Sequence, residues 1–416
     1  MSTCCQQVIT VGPKQMIGLN HLCLWLRTLG CGLSFVFYLL MGLSSLALAA
    51  EAEVGSEDKA PSMFEGEDGQ FDVSGFLDQA YGFLPVMIPI TEPAVGYGLA
   101  AGVMFISSPL GSATELKRPN ITAVGGMRTE NGTEGLFTGD IRYWMDGRLQ
   151  TLVGYFDASV NLDFYGIGKN DVLADHPLRY NLDPRLAIGQ AKYRLGDTRI
   201  WVGLGYAYAD IDVSFDVSGD VPWLPPFDSN TKIAGLLPSV SYDTRDNVFT
   251  PVKGSYLELS GGWFGPNLGG DDEFQRLKLL GLHYRPLSSD WFLGLRLDGT
   301  ASFQEPPFYL RPYISLRGVP AMRYQGDEVA QVEAELRWQL WNRFSVLGFA
   351  GVGKAWSQAE SRFEGKGDDS EHVPAGGFGF RYEIARKYGI HVGMDFAFSE
   401  DEEAFYIQVG SAWSRP

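Results

Sequence analysis

The sequence has no cysteine after residue 31, because its four cysteines lie at positions 4, 5, 23 and 31. The chain from residue 51 onward therefore has neither a disulfide framework nor a thiolate metal site. Basic residues are also scarce, with 33 Lys and Arg against 50 Asp and Glu. Nucleic-acid binding requires dense Lys and Arg, so a net charge of −17 argues against a nucleic-acid partner.

The first 50 residues contain no Asp or Glu, and an apolar run over 33–48 leads into the small residues Ala49 and Ala50. A basic start, an apolar centre and a small-residue exit are typical of a cleavable export signal. We therefore predict a signal peptide over 1–50 and a mature chain that begins near Ala50 or Glu51. The alternative is an uncleaved membrane anchor.

The next segment, 51–80, is predicted to be a short acidic N-terminal arm, and its part 51–70 is poor in large apolar side chains. This composition predicts a flexible arm over 51–70. Residues 72–80 are expected to form one short helix, with Asp72 or Ser74 as its cap.

No sustained helical period follows Gly82, and apolar and polar residues alternate instead. In 331–340 every odd-numbered residue is polar and every even-numbered one is apolar, which places the two sets on opposite faces of a strand. Many alternating segments run for about 10–14 residues, whereas strands of soluble proteins usually have about 5–6. A tilted membrane strand needs about 9–11. We therefore predict an all-β fold, a transmembrane antiparallel β-barrel over 81–416, with a soluble β-sandwich as the alternative.

The barrel is predicted to have about 16 strands. The expected strands are 82–90, 93–107, 119–129, 132–144, 148–160, 183–194, 198–211, 231–242, 253–264, 273–285, 290–303, 329–340, 343–356, 373–385, 388–398 and 403–413. Long and short connections alternate from residue 161 onward, which indicates long extracellular loops, short periplasmic turns and both termini in the periplasm.

Three segments are more specific than a generic barrel. The first is a turn motif that contains Asp243, Arg245, Asp246, Pro251 and Gly254. The second is Leu316-Arg317-Gly318-Val319-Pro320, in a 25-residue connection that precedes the segment Glu333-Ala334-Glu335-Leu336-Arg337. The third is Gly377-Phe378-Gly379-Phe380-Arg381, followed by Asp395 on the next strand.

Together these segments resemble the membrane barrel of the BamA/TamA outer-membrane assembly-factor family, also called the bacterial surface antigen family. The resemblance spans roughly 82–413 and implies that the loop 304–328 tucks into the lumen. It also implies that the loop arginine, with Gly318 beside it, contacts inward-facing residues of the following strands. We therefore predict that Arg317 pairs with Glu335, and that Arg337, Arg381 and Asp395 complete the network. Ordinary solvated lumen charge is the alternative.

The sequence departs from the family pattern at two positions. Gly351 stands where the family typically has Asp, and Val319 stands where it usually has an aromatic residue. We therefore expect the loop to be held less firmly against the barrel wall than in the family. The interval between the signal and the first strand is also too short for the family's periplasmic POTRA modules.

The expected location is the bacterial outer membrane, with membrane lipid as the surroundings. The expected function is assembly or translocation of a protein or lipid client by a plugged barrel with an openable seam. A passive channel or structural barrel for small solutes is the alternative. The histidines at 176, 283, 372 and 391 are widely spaced, and no Ser lies in a recognisable nucleophile setting. We therefore predict no enzyme, no metal and no cofactor, while a homo-oligomer stays open.

Overall fold

The computed structural model describes residues 63–79, 82–107, 120–166, 177–215, 228–357 and 372–413. These residues form one antiparallel sheet in which each strand pairs with its neighbours in sequence, from β1 to β16. The strands are β1 Gly82–Ile90, β2 Gly98–Ile106, β3 Ile121–Thr129, β4 Glu134–Trp144, β5 Leu149–Phe164, β6 Leu178–Arg194, β7 Ile200–Phe215, β8 Asp228–Asp243, β9 Gly254–Phe264, β10 Phe274–Pro286, β11 Trp291–Phe303, β12 Glu328–Trp341, β13 Phe344–Trp356, β14 Val373–Ala385, β15 Ile390–Ser399 and β16 Glu403–Val409. The sheet curls into a nearly closed barrel, and the predicted sixteen-stranded antiparallel fold is confirmed.

Strand boundaries agree with the alternation to within two residues except in three regions. The strand β2 was predicted over 93–107 but spans Gly98–Ile106. The strands β5 to β8 have 16 or 17 residues, so they extend beyond the alternating segments into the predicted long loops. The last strand was predicted over 403–413 but ends at Val409, because Gly410 adopts a positive φ of 83°. The chain then turns inward, and Trp413 is 6% exposed within the barrel.

The alternation also assigns the two faces of the wall. On β12, Glu333 and Arg337 are buried inside the barrel, whereas Leu336 and Trp338 are 38% and 40% exposed on the outside. Trp338 stacks on Trp291 of β11, with ring centroids 5.3 Å apart. None of the helices in the described ranges is long and apolar enough to cross a membrane.

The segment 63–79 is held against the barrel, because Asp68, within the arm predicted to be flexible over 51–70, pairs with Arg343; residues 51–62 lie outside the described part of the chain. It contains one short helix, α1, over Ser74–Gln79. The Asp72 carboxylate accepts a hydrogen bond from the Ser74 amide at 2.6 Å, which places Asp72 just before the helix. Ion pairs under the barrel hold this segment, as described below.

The two ends of the sheet meet without a strand ladder. Within the described residues, no backbone register links β1 to β16. The contacts across this break include a hydrogen bond from the Ile407 amide to the hydroxyl of Thr91, just after β1 (3.3 Å), and stacking of Tyr97 on Phe405 (5.4 Å between centroids). We call this break the seam.

Candidate functional site: the lumen plug and its latch

The connection between β11 and β12 folds into the barrel and fills part of the lumen. Its residues Ile314, Leu316 and Val319 are at most 5% exposed and pack against inward side chains of the following strands. Farther along the wall, Phe308 of the same loop packs on Phe164 of β5, with ring centroids 4.9 Å apart. The loop therefore spans the lumen, and we call residues 304–327 the plug.

Arg317 carries the contact between the plug and the wall. Its guanidinium lies 2.8 Å from Glu333, 3.0 Å from Glu335 and 2.7 Å from Asp395. The cation also lies 3.6 Å above the ring centroid of Phe349. A planar guanidinium with five donors suits several carboxylates at once. The arrangement is a buried ion cluster that joins the plug to β12, β13 and β15. We call Arg317 and its three carboxylates, Glu333, Glu335 and Asp395, the latch.

The three carboxylates are not equivalent. Glu333 and Asp395 accept hydrogen bonds from Arg317, whereas the Glu335 oxygen that lies 3.0 Å away has no hydrogen bond. Sequence reasoning placed the main contact at Glu335 and omitted Glu333, although both share the inward face of β12. The two are indistinguishable by parity, so only the position of the loop selects between them.

Glu333 also receives the end of the chain. The Trp413 indole donates a hydrogen bond of 2.7 Å to Glu333, and the ring contacts Tyr284. Arg296 of β11 lies 3.6 Å from the same carboxylate. This contact could not be predicted from the sequence, because the tail was expected to continue as a strand.

Arg381 and Asp395 form the second part of the network. Arg381 binds Asp395 with two hydrogen bonds of 2.6 and 2.9 Å, and Asp395 is fully buried. Asp395 thus bridges Arg381 to Arg317. Arg337, predicted to belong to this network, has no carboxylate within salt-bridge distance in the described ranges and instead lies 4.8 Å over the ring of Phe292.

Gly318 and Gly351 explain why the latch closes despite the departures from the family pattern. Gly318 has a φ of 88°, and its amide donates to the Tyr406 hydroxyl at 3.1 Å. A Cβ at Gly351 would lie 2.7 Å from the Val332 carbonyl and 3.2 Å from the Glu333 side chain. The position therefore has no room for an acid, and Glu333 supplies the carboxylate beside it. Arg317 therefore has carboxylate acceptors even though Gly351 replaces the family's Asp.

The predicted turn motif closes the bottom of the barrel between β8 and β9. Arg245 binds Asp243 through two hydrogen bonds of 2.9 Å, and the Asp246 carboxylate accepts the Val252 amide. Gly254 has a φ of 106°, where a side chain would collide with the Thr244 carbonyl. Pro251 of the motif is buried in this turn.

This turn reaches across the barrel opening. Asn247 donates to the Tyr388 carbonyl at 2.8 Å, and the Ser411 amide donates to the Phe249 carbonyl at 2.6 Å. The turn therefore joins the β14–β15 connection and the C-terminal tail into a floor below the plug.

Comparison with known proteins finds a family match over the part of the chain that carries the plug and latch. Residues 227–400 match the Omp85 superfamily domain. The matched segment makes up about two-fifths of the chain. It includes β8 to β15, so the turn motif, Arg317 and Asp395 all lie inside it. No curated protein matches the chain.

Solved Omp85-type barrels share the fold. BamA from Haemophilus ducreyi lacking POTRA domains 1–3 is 13% identical, with a TM-score of 0.54 over 79% of this chain and 69% of that one. CdiB from Escherichia coli is 12% identical, with a TM-score of 0.55 over 79% of this chain and 61% of that one. CdiB from Acinetobacter baumannii is 10% identical, with a TM-score of 0.52 over 79% and 59%. The predicted resemblance to the BamA-type barrel is confirmed.

An N-terminal clamp, residues 63–79, lies under the barrel and precedes the matched segment in sequence. Arg343, in the β12–β13 turn, is 1% exposed and lies 2.7 Å from Asp68 and 2.8 Å from Asp72. Hydrogen bonds from Arg343 hold the pKa of Asp68 well below its usual range. Lys387, in the β14–β15 connection, lies 2.6 Å from Asp78. The clamp therefore fixes the chain under β12 to β15 just before β1 begins.

Proposed function

We propose that the protein is an outer-membrane barrel that moves a protein or lipid client into or across that membrane through its seam. The observation that carries this proposal is the seam itself. A closed barrel removes its edges by hydrogen bonding its first strand to its last. Here the described part of β1 has no ladder to β16, so the wall can part there without breaking a strand pairing.

The plug supports this proposal over a passive channel. A porin-like barrel leaves an aqueous path through its lumen. In this barrel the plug occupies the lumen, a buried ion cluster holds it, and the turn over 244–253 spans the opening below. A route through the wall fits this arrangement better than a route along the axis. The resemblance to outer-membrane assembly factors supports the same conclusion.

A disulfide across the seam tests the proposal. Thr91→Cys with Ile407→Cys joins two outward positions that already touch, and the predicted mature chain has no native thiol. The locked protein is expected to fail to restore outer-membrane composition in a strain that lacks the gene, and reductant should restore it. The matched control is Ala334→Cys with Ala350→Cys, which face each other in the β12–β13 register. Full activity of the locked seam variant would rule out lateral passage.

A further inference from the structure

The inner face of the first strands can be assigned from the plug. Phe164 of β5 contacts Phe308 of the plug, so even-numbered residues of β5 point inward. Directly opposed residues of paired strands share a face. By these registers, the inward residues are the odd-numbered ones in β4 and β3. In β2 and β1 they are the even-numbered ones. Outward residues such as Phe83 and Leu136 are 65% and 68% exposed, as this assignment requires.

The inward face of β1 to β4 has no charged side chain among these strands, all of which lie within the described ranges. Its members are Gly82, Leu84, Val86, Ile88, Ile90, Gly98, Ala100, Gly102, Met104, Ile106, Ile121, Ala123, Gly125, Met127, Thr129, Gly135, Phe137, Gly139, Ile141 and Tyr143. Ile88 is 53% exposed although it faces the lumen. We call this surface the apolar inner wall.

The opposite side of the lumen is lined by charged side chains. The inward residues of β10 to β15 include Arg276, Lys278, Arg296, Asp298, Glu333, Glu335, Arg337, Arg381, Glu383 and Asp395. Barrels that enclose water have polar interiors. The apolar inner wall begins at the seam, so it is the first lumen surface that a client entering through the seam would meet.

The seam edge of β1 is also poor in hydrogen-bond donors. Around β2, the Ser107 amide donates to the Asn120 carbonyl and the Tyr97 carbonyl accepts from Glu130, so odd residues of β2 direct their backbone groups toward β3. Even residues of β2 therefore face β1. Two directly opposed residues of an antiparallel pair either both direct their backbone N–H and C=O groups toward each other or both direct them away from each other.

The register of Val86 with Gly102 then turns the even residues of β1 toward β2 and the odd residues toward the seam. Two of those odd residues are Pro85 and Pro89, which have no amide hydrogen. A client strand that paired with β1 would find donors only at Phe83 and Met87 over this stretch. This edge is therefore a poor template for strand addition.

From these two observations we propose that the client is a lipid, whose acyl chains pass the β1 edge and lie on the apolar inner wall. The inference rests on the function proposed above and names its client class. Hydrocarbon chains need no hydrogen bonds, so the missing donors do not affect them, and burial on an apolar wall is favourable. A client β-strand would need the donors and would place its polar face toward the lumen.

Photocrosslinking tests this inference on the full chain reconstituted in vesicles of phosphatidylethanolamine and phosphatidylglycerol. A benzophenone side chain replaces Ile88, with Met104 as a second inward position. Val124, 51% exposed on the outside, is the positive control for surrounding lipid, and inward Thr300 of β11 is the matched lumen control. We expect phospholipid-mass adducts at 88 and 104 that exceed those at 300 several-fold, and that fall when the Thr91–Ile407 disulfide forms.

Two other outcomes would overturn the inference. Polypeptide adducts at 88 and 104 in cells would replace the lipid by a protein client and leave passage through the seam intact. Absence of any adduct at both positions, with lipid still captured at 124, would also overturn it. The function proposed above is decided separately, by complementation with the locked variant.

Discussion

At the scale of single residues, Arg317 has the largest effect that we expect. Removing one partner of a buried charge cluster costs about 3–5 kcal/mol, whereas a solvated pair is worth about 0–1 kcal/mol. Arg317 is buried against three carboxylates. We therefore expect Arg317→Ala to lower the heat resistance of the folded barrel, measured by its gel mobility after graded heating.

The partners of Arg317 provide the control. Glu333→Gln should lower heat resistance more than Glu335→Gln, because only Glu333 accepts a hydrogen bond from Arg317. In the double mutants with Arg317→Ala, the losses should be smaller than the sums of the single losses. Additive losses would mean that the cluster does not act as a unit.

A second prediction concerns Trp413. Trp413→Phe retains an aromatic ring but removes the donor to Glu333, and an unsatisfied buried acceptor costs about 1–3 kcal/mol. We expect a measurable fall in the temperature of unfolding. Trp338→Phe is the matched control, since Trp338 lies on the outer face. Equal effects of the two substitutions would show that the hydrogen bond is unimportant.

Residue parity predicted the inward positions of the latch but not their partners. Glu335, Arg381 and Asp395 were assigned to the lumen by alternation, and the structure brings all three to the Arg317 cluster. Glu333 shares the same parity, and Trp413 is 80 residues away from it in sequence. Choice of partner depends on where the plug and the tail lie, which a period of two does not encode.

At the scale of elements, the N-terminal clamp is expected to respond to pH. The pKa of Asp68 is depressed in the folded state, so its contribution to holding the clamp is present above the ordinary value near 4. That contribution is lost as the pH falls below about 4. A spin label at Gln70 should be immobile at pH 7 and mobile in strong acid.

The variant Arg343→Gln separates this effect from general acid unfolding. It should mobilise the label at Gln70 already at pH 7 while the barrel retains its heat resistance. A label that stays immobile in that variant would show that the Arg343 pairs do not hold the clamp.

The strands were largely predictable and the clamp was not. Long strands such as β14, predicted over 373–385 and observed at Val373–Ala385, can be recognised in the sequence. Each has an inward and an outward face with different side chains, so polar and apolar residues alternate along it. The composition of 51–70 is that of a disordered arm, because the segment is acidic and has few large apolar side chains. The order of the clamp comes from Arg343 and Lys387, more than 250 residues away in the chain.

At the scale of the whole molecule, the plug and the floor make a prediction about ion flow. The purified barrel in planar bilayers should show low or intermittent conductance. Arg317→Ala should raise the frequency of open events, because it removes the ion pairs that tie the plug to β12 and β15. Steady, porin-like conductance of the unmodified protein would favour the passive-channel alternative.

The clamp sets a limit on how the wall can part. Asp78 is fixed to Lys387 under β15, and β1 begins at Gly82, four residues later. Four residues of fully extended chain span at most about 14 Å. While that ion pair holds, the lower end of β1 stays within this distance of Lys387. In the described residues, the upper end is held to β16 by the Ile407–Thr91 hydrogen bond and the Tyr97–Phe405 stacking, and once these contacts separate no covalent tether of this kind limits that end. The seam should therefore open as a wedge that widens toward the outer end. Full separation of the two edges requires the Asp78–Lys387 ion pair of the clamp to break first.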